Sequence, residues 1–133
     1  QSGQSVNFDF DPIINVLSDM FSNHLFLITN PTSIVKNNVV QIKDITGNDF
    51  DLLYISYIST KCNIIVGRAS GPYCYCHVKE NLMNKNKTFI SLTHNDIEGI
   101  WFKESNAKQI WSNNYDNNHI LDIINTEIDL WSQ

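Results

Sequence analysis

Apolar residues recur with a helical period at both ends of this chain and with an extended period between them. That change of period limits the fold more than any other feature. Near the start, Ile13, Leu17, Met20, Phe21, His24 and Leu25 fall at i, i+4, i+7, i+8, i+11 and i+12, which is one stripe of an amphipathic helix. Asp11 can cap the first turn and Pro12 suits the position after it. The helix should stop before Asn30-Pro31, because the residue ahead of a proline avoids the α region, although 25–29 also fits a short strand. At the other end, NHILDIINTEIDLWSQ sets Ile120, Ile123, Ile124, Ile128 and Trp131 on one stripe and Asp122, Asn125, Thr126 and Asp129 on another, with Asn117 or Asn118 as N-cap.

From Val39 onward VVQIKDI, FDLLYISYIS, CNIIVGR, PYCYCHV, KTFISLT, GIWFK and KQIWS read as strands. The connectors TGND, STK, ASGP, NKNK and ESNA supply the residues that tight turns need. The expected fold is therefore α+β: an N-terminal helix, an antiparallel β-meander of about six or seven strands, and a C-terminal amphipathic helix packed on the sheet. FDLLYISYIS, apolar on both alternating faces, should be its central strand. One domain over residues 1–133 is expected, frayed over 1–8, since the chain holds 42% apolar residues and shows no repeat or linker.

Net charge is −5, with eight lysines, one arginine and fourteen carboxylates. Such a balance repels the phosphates of nucleic acid and anionic lipid and favours a basic protein partner. No run reaches the roughly 18 apolar residues of a membrane span. Carboxylates are alone at both ends: Asp9, Asp11 and Asp19 before residue 36, and Asp116, Asp122, Glu127 and Asp129 after Lys108. Asn and Ile, at 18 each, reflect biased coding more than mechanism. The chain opens on Gln1 rather than methionine, so a removed leader and a trimmed start both fit.

GPYCYCHVKE gathers two cysteines and a histidine. If CNIIVGR and PYCYCHV form a hairpin about 69–71, Val66 faces Cys74, Ile64 faces Cys76 and Cys62 faces Val78, so all three cysteines share an apolar face. Tyr73, Tyr75 and His77 then lie on the other face as a candidate contact patch. A zinc site needs its ligands to converge at about 2 to 2.3 Å, which neighbouring strand residues do not do. Core packing is the expected role of the thiols, a Cys62–Cys76 bridge would need distortion, and an odd count of cysteines favours a reducing, cytoplasmic compartment.

An enzymatic alternative uses His24, His77, His94 or His119 as the acid and base of a metal-independent ribonuclease, with Lys79, Lys87 or Lys103 stabilising negative charge. Against it, His24 lies on an apolar stripe and the lysines are too few for a phosphate track. THNDIEG groups His94, Asp96 and Glu98 without the spacing of a calcium loop or an HExxH helix, and a turn explains it. GxSxG, P-loop and GxGxxG motifs do not occur. Asn86-Lys87-Thr88 matches the glycosylation pattern by chance in so asparagine-rich a chain. A third alternative is an apolar-ligand carrier, its cavity built from Trp101, Trp111, Trp131, Tyr54, Tyr57, Tyr73 and Tyr75.

The expectation is thus a small acidic protein-binding module without cofactor or metal, of the inhibitor or immunity type that neutralises a basic partner such as a nuclease toxin. Its contact residues would be Asp116, Asp122, Glu127 and Asp129 on the last helix, with Tyr73, Tyr75 and His77, and it would occlude the partner's active site. That expectation is analogy of size and charge alone.

Overall fold

The computed structural model describes residues 7–47, 51–68, 70–93 and 104–132. The class is α+β, but the antiparallel meander is not formed. Among the described residues five short strands make two all-parallel sheets, and six helices connect or flank them.

Helix α1 (Asp11–Met20) takes the first part of the helical stripe and buries Ile13, Ile14 and Leu17, but it ends well before Asn30-Pro31, so Phe21, His24 and Leu25 lie beyond it. Its N-cap is Phe10, not Asp11. The Asp11 carboxylate instead accepts hydrogen bonds from Thr32 Oγ1 at 2.6 Å and from Ser33 Oγ at 3.2 Å, with the Thr32 bond foremost in holding its pKa below the usual range. The described start of the chain is tied down: Phe8 packs edge-on to Phe10 at 4.8 Å and beside Tyr115. Strand β1 (Phe26–Ile28) pairs in parallel with β2 (Val39–Gln41), Phe26 opposite Val39 and Ile28 opposite Gln41. Helix α2 (Ile42–Thr46) takes the second half of VVQIKDI and ends at Gly47, whose φ of +76° needs glycine.

The expected central strand FDLLYISYIS is helix α3 (Leu52–Ser59). An all-apolar run has no period with which to separate strand from helix, and the signal that decides it is Asp51, whose carboxylate accepts from the Tyr54 amide at 2.9 Å as an N-cap. Strand β3 (Ile64–Arg68) is where CNIIVGR places it. PYCYCHV, however, is not its hairpin partner. Gly71-Pro72 opens a helical turn, α4 (Gly71–Cys74), followed by α5 (Lys79–Leu82). Proline suits a helix's first turn as well as a hairpin, and the two cannot be told apart locally.

Those helices carry the chain back so that β4 (Thr88–Leu92) lies parallel to β3, and β5 (Lys108–Ser112) lies parallel to β4. A parallel neighbour demands such a crossover. The central strand is β4, buried along its whole length. GIWFK and THNDIEG from His94 onward fall outside the described residues. The chain closes with α6 (Asn117–Trp131), as its periodicity predicts, though its N-cap is Asp116, which accepts from the amides of Asn118 and His119.

Side chains alternate across the sheet into two cores. Ile64, Val66, Ile90, Leu92 and Ile110 meet α1 and α6 on one face. Ile65, Phe89 and Ala107 meet α2, α3 and α4 on the other.

Candidate functional site

The proposed partner-binding residues do not form one surface. On α6, Asp122 and Asp129 are exposed, and neither is ion-paired among the described residues. Asp116 is spent on capping. Glu127 is buried, with its carboxylate 2.9 Å from Lys108 Nζ. Across the sheet, Tyr73 is buried, Tyr75 is exposed, and His77 stacks on Phe89 with ring centroids 4.4 Å apart. The helical turn of α4 puts residues four apart on one side, so Tyr73 and His77 face inward together while Tyr75 turns out. Burial lowers the His77 pKa, and Nδ1 donates to the Tyr73 carbonyl at 3.0 Å.

The described histidines do not converge either. His24 reaches Ser132 beyond the end of α6, His119 sits in the first turn of that helix, and His77 belongs to the opposite face of the sheet. At 1.5 Å rise per residue the two ends of α6 are about 20 Å apart. Lys87, offered by its sequence as a charge-stabilising lysine at the end of the NKNK connector, is buried. Its Nζ donates to the Ser59 carbonyl at 2.9 Å and to Asn81 Oδ1, and the buried Asn81 amide donates to Ser59 Oγ and to the Cys76 carbonyl. Burial keeps this lysine's pKa below its ordinary value. The cluster is internally satisfied and structural, and no local pattern in NKNK marks its burial.

The three cysteines are free and do not share one face: Cys76 is buried, Cys62 half-buried and Cys74 exposed. Loss of solvent raises the pKa of each, that of Cys76 to about 11. Among the described residues, no three His, Cys, Asp or Glu side chains come together as metal ligands would. Nor is any described helix long and apolar enough to cross a membrane.

A cavity of about 810 Å³ lies between β1 and β3. Several contacts fix how those strands stand. The bonds from Thr32 and Ser33 to Asp11 hold the carboxyl end of β1 at the start of α1, and Arg68 Nη1 donates to Asn7 Oδ1, which brings the carboxyl end of β3 to the same place. At the opposite end His24, ahead of β1, meets Ser132, and Trp131 Nε1 donates to the Asn86 carbonyl, ahead of β4. The two strands therefore run the same way.

They also occupy the same layer. Phe26 packs into the core that holds Ile64 and Val66, while Leu27 packs into the core that holds Ile65. Yet among the described residues each has a sheet partner on one side only: β1 pairs with β2 and β3 with β4. Every residue of both strands borders the cavity. Its walls include apolar side chains such as Ile13, Leu17, Ile42, Ile55 and Ile58, Cys62 and Cys76 on the α3 side, and polar ones such as Asp9, Asp11, Lys61 and Arg68. At one end His24 leaves Nδ1 buried without a partner among the described residues. No protein-family model, curated protein or solved structure matches this chain.

Proposed function

We propose that this domain works by binding rather than by catalysis, and that its principal site is the cleft between β1 and β3, which takes an apolar ligand. The observation that carries the reading is the cavity of about 810 Å³ flanked by two strands that do not pair. That size suits a bound ligand, and the cleft reaches the carboxyl ends of β1 and β3, the place where open parallel sheets accept ligands when neighbouring strands connect in opposite directions. Tyr73 and Trp131 border it, and aliphatic side chains from both cores are the largest group in its wall. Titration with the fluorescent apolar probe anilinonaphthalene sulfonate tests it. Saturable binding that is lost in Ile58→Trp, which fills the cleft, supports the site, whereas binding indifferent to that substitution removes it.

A second reading keeps the acidic inhibitor or immunity-type module, and the exposed Asp122 and Asp129 favour it, with exposed Leu130 beside them on α6. Its partner is a basic protein such as a nuclease toxin, met through α6. The odd number of cysteines favours a reducing compartment for either reading. Here Asp122→Lys combined with Asp129→Lys should slow formation of a salt-sensitive complex with the partner. A complex indifferent to both charges and salt would remove α6 as the contact.

A further inference from the structure

The walls of the cleft are strand edges, and a strand edge asks for backbone rather than for a side chain. In β1 the Phe26 amide donates to the Asn38 carbonyl on the β2 side. Backbone groups alternate along a strand, so those of Leu27 point the other way, into the cleft. In β3 the Asn63 carbonyl accepts from the Thr88 amide on the β4 side, so Ile65 and Gly67 also face β4 while Ile64 and Val66 face the cleft. Among the described residues neither Ile64 nor Val66 has a backbone partner on that side.

Resting on the cleft as the binding site, the geometry points to one occupant: an extended apolar segment of a partner polypeptide, added as a strand between β1 and β3. Only another backbone supplies donors and acceptors at the two-residue repeat that Ile64 and Val66 present from β3, with Leu27 opposite on β1. Its side chains would alternate into the same two cores that Phe26 and Leu27 enter from β1 and Ile64 and Ile65 from β3. A small apolar molecule fills volume but leaves those amides and carbonyls unpaired, at a cost that a strand avoids. β3 spans five residues, which sets the paired length. The ends differ in charge. Asp9 and Asp11 border the carboxyl end against the single cation Arg68, and Lys61 borders the amino end. A segment with a basic residue at the Asp9 end and an acidic one at the Lys61 end is therefore complementary.

The probe is a synthetic peptide of alternating valine and threonine, blocked at both termini, with glutamate at its start and lysine at its end. Its counterpart has the two charges exchanged, which tests the opposite strand direction. Residue-resolved hydrogen exchange on the full chain is the readout. In the free protein the Ile64 and Val66 amides should exchange at least about tenfold faster than those of Ile65 and Gly67, and one of the two peptides should slow them selectively. N-methylation of that peptide at alternate residues should weaken binding by about tenfold or more. Protection of Ile64 and Val66 in the free protein, peptide binding that leaves them unprotected, or indifference to N-methylation each overturns the strand assignment. Saturable binding of anilinonaphthalene sulfonate, blocked by Ile58→Trp, with no response to either peptide leaves the cleft as a site for a small apolar ligand. Absence of both removes the cleft itself.

Discussion

The Tyr73 ring lies directly over Gly67, so closely that a β-carbon at Gly67 would sit 2.3 Å from Cδ1 of the ring. The tyrosine hydroxyl then reaches Ser91 at 2.6 Å, and Ser91 is the residue paired with Gly67 across β3 and β4. One side chain from α4 thus covers two strands and needs a bare backbone beneath it. Gly67→Ala should destabilise the fold by about 1 to 3 kcal/mol in urea unfolding. In a Tyr73→Ala background the same change should cost much less. Equal costs in both backgrounds would mean that the ring is not over Gly67.

Asn81 is fully buried and bridges Lys87 to Ser59 and Cys76. Asn81→Leu removes an acceptor from a buried ammonium, so a loss of about 3 kcal/mol or more is expected. Adding Lys87→Met should recover part of it, because no buried charge then lacks a partner. A double variant as unstable as the sum of the single ones would argue that the two side chains act independently.

Burial holds the His77 pKa below its ordinary 6.5. Between that lowered value and pH 6.5 the unfolded chain binds a proton that the folded chain does not. This contribution to stability is therefore complete above pH 6.5 and is lost as the pH falls through the window. Thermal unfolding followed during acidification should show a slope that is shallower in His77→Phe, which keeps an aromatic ring against Phe89. Identical slopes would place the imidazole in solvent.

Alkylation near neutral pH should be slow at all three thiols, because burial favours the protonated form of each. Exposed Cys74 should react first and buried Cys76 last. Mass mapping of the labelled sites reads the order, and early labelling of Cys76 would contradict its place in the core.

The α6 carboxylates should separate in a stability assay. Asp122→Lys and Asp129→Lys, both on the surface, should change stability by no more than about 0.5 kcal/mol. Asp116→Ala should cost about 1 kcal/mol as a lost N-cap. Glu127→Ala should also destabilise, by about 1 kcal/mol, since its partner Lys108 is half-exposed and water screens the pair. Uniform responses would deny the division between surface and structural carboxylates.

Where periodicity was unambiguous, the sequence could be read directly. Ile13 and Leu17, and Ile120, Ile124 and Ile128, recur at helical spacing and bury themselves in α1 and α6. β3, β4 and β5 also lie where CNIIVGR, KTFISLT and KQIWS place them. The structure departs from the sequence pattern where local patterns are degenerate. Leu52–Ser59 is apolar all round, and Gly71-Pro72 suits a turn or a helix start equally well.

Of the candidate site, exposed Asp122 and Asp129 were legible as the outer stripe of a helix. The cleft was not, because its walls come from β1 and β3, far apart in the chain, and are made of backbone groups that every sequence carries. The amino-acid sequence by itself determined the terminal helices, the acidic surface and the supply of short apolar strands. Strand direction, the burial of Lys87 and Tyr73, and the gap between β1 and β3 were decided only in the tertiary structure. Pairing direction depends on the path of the connections, and burial depends on which distant residues arrive as neighbours.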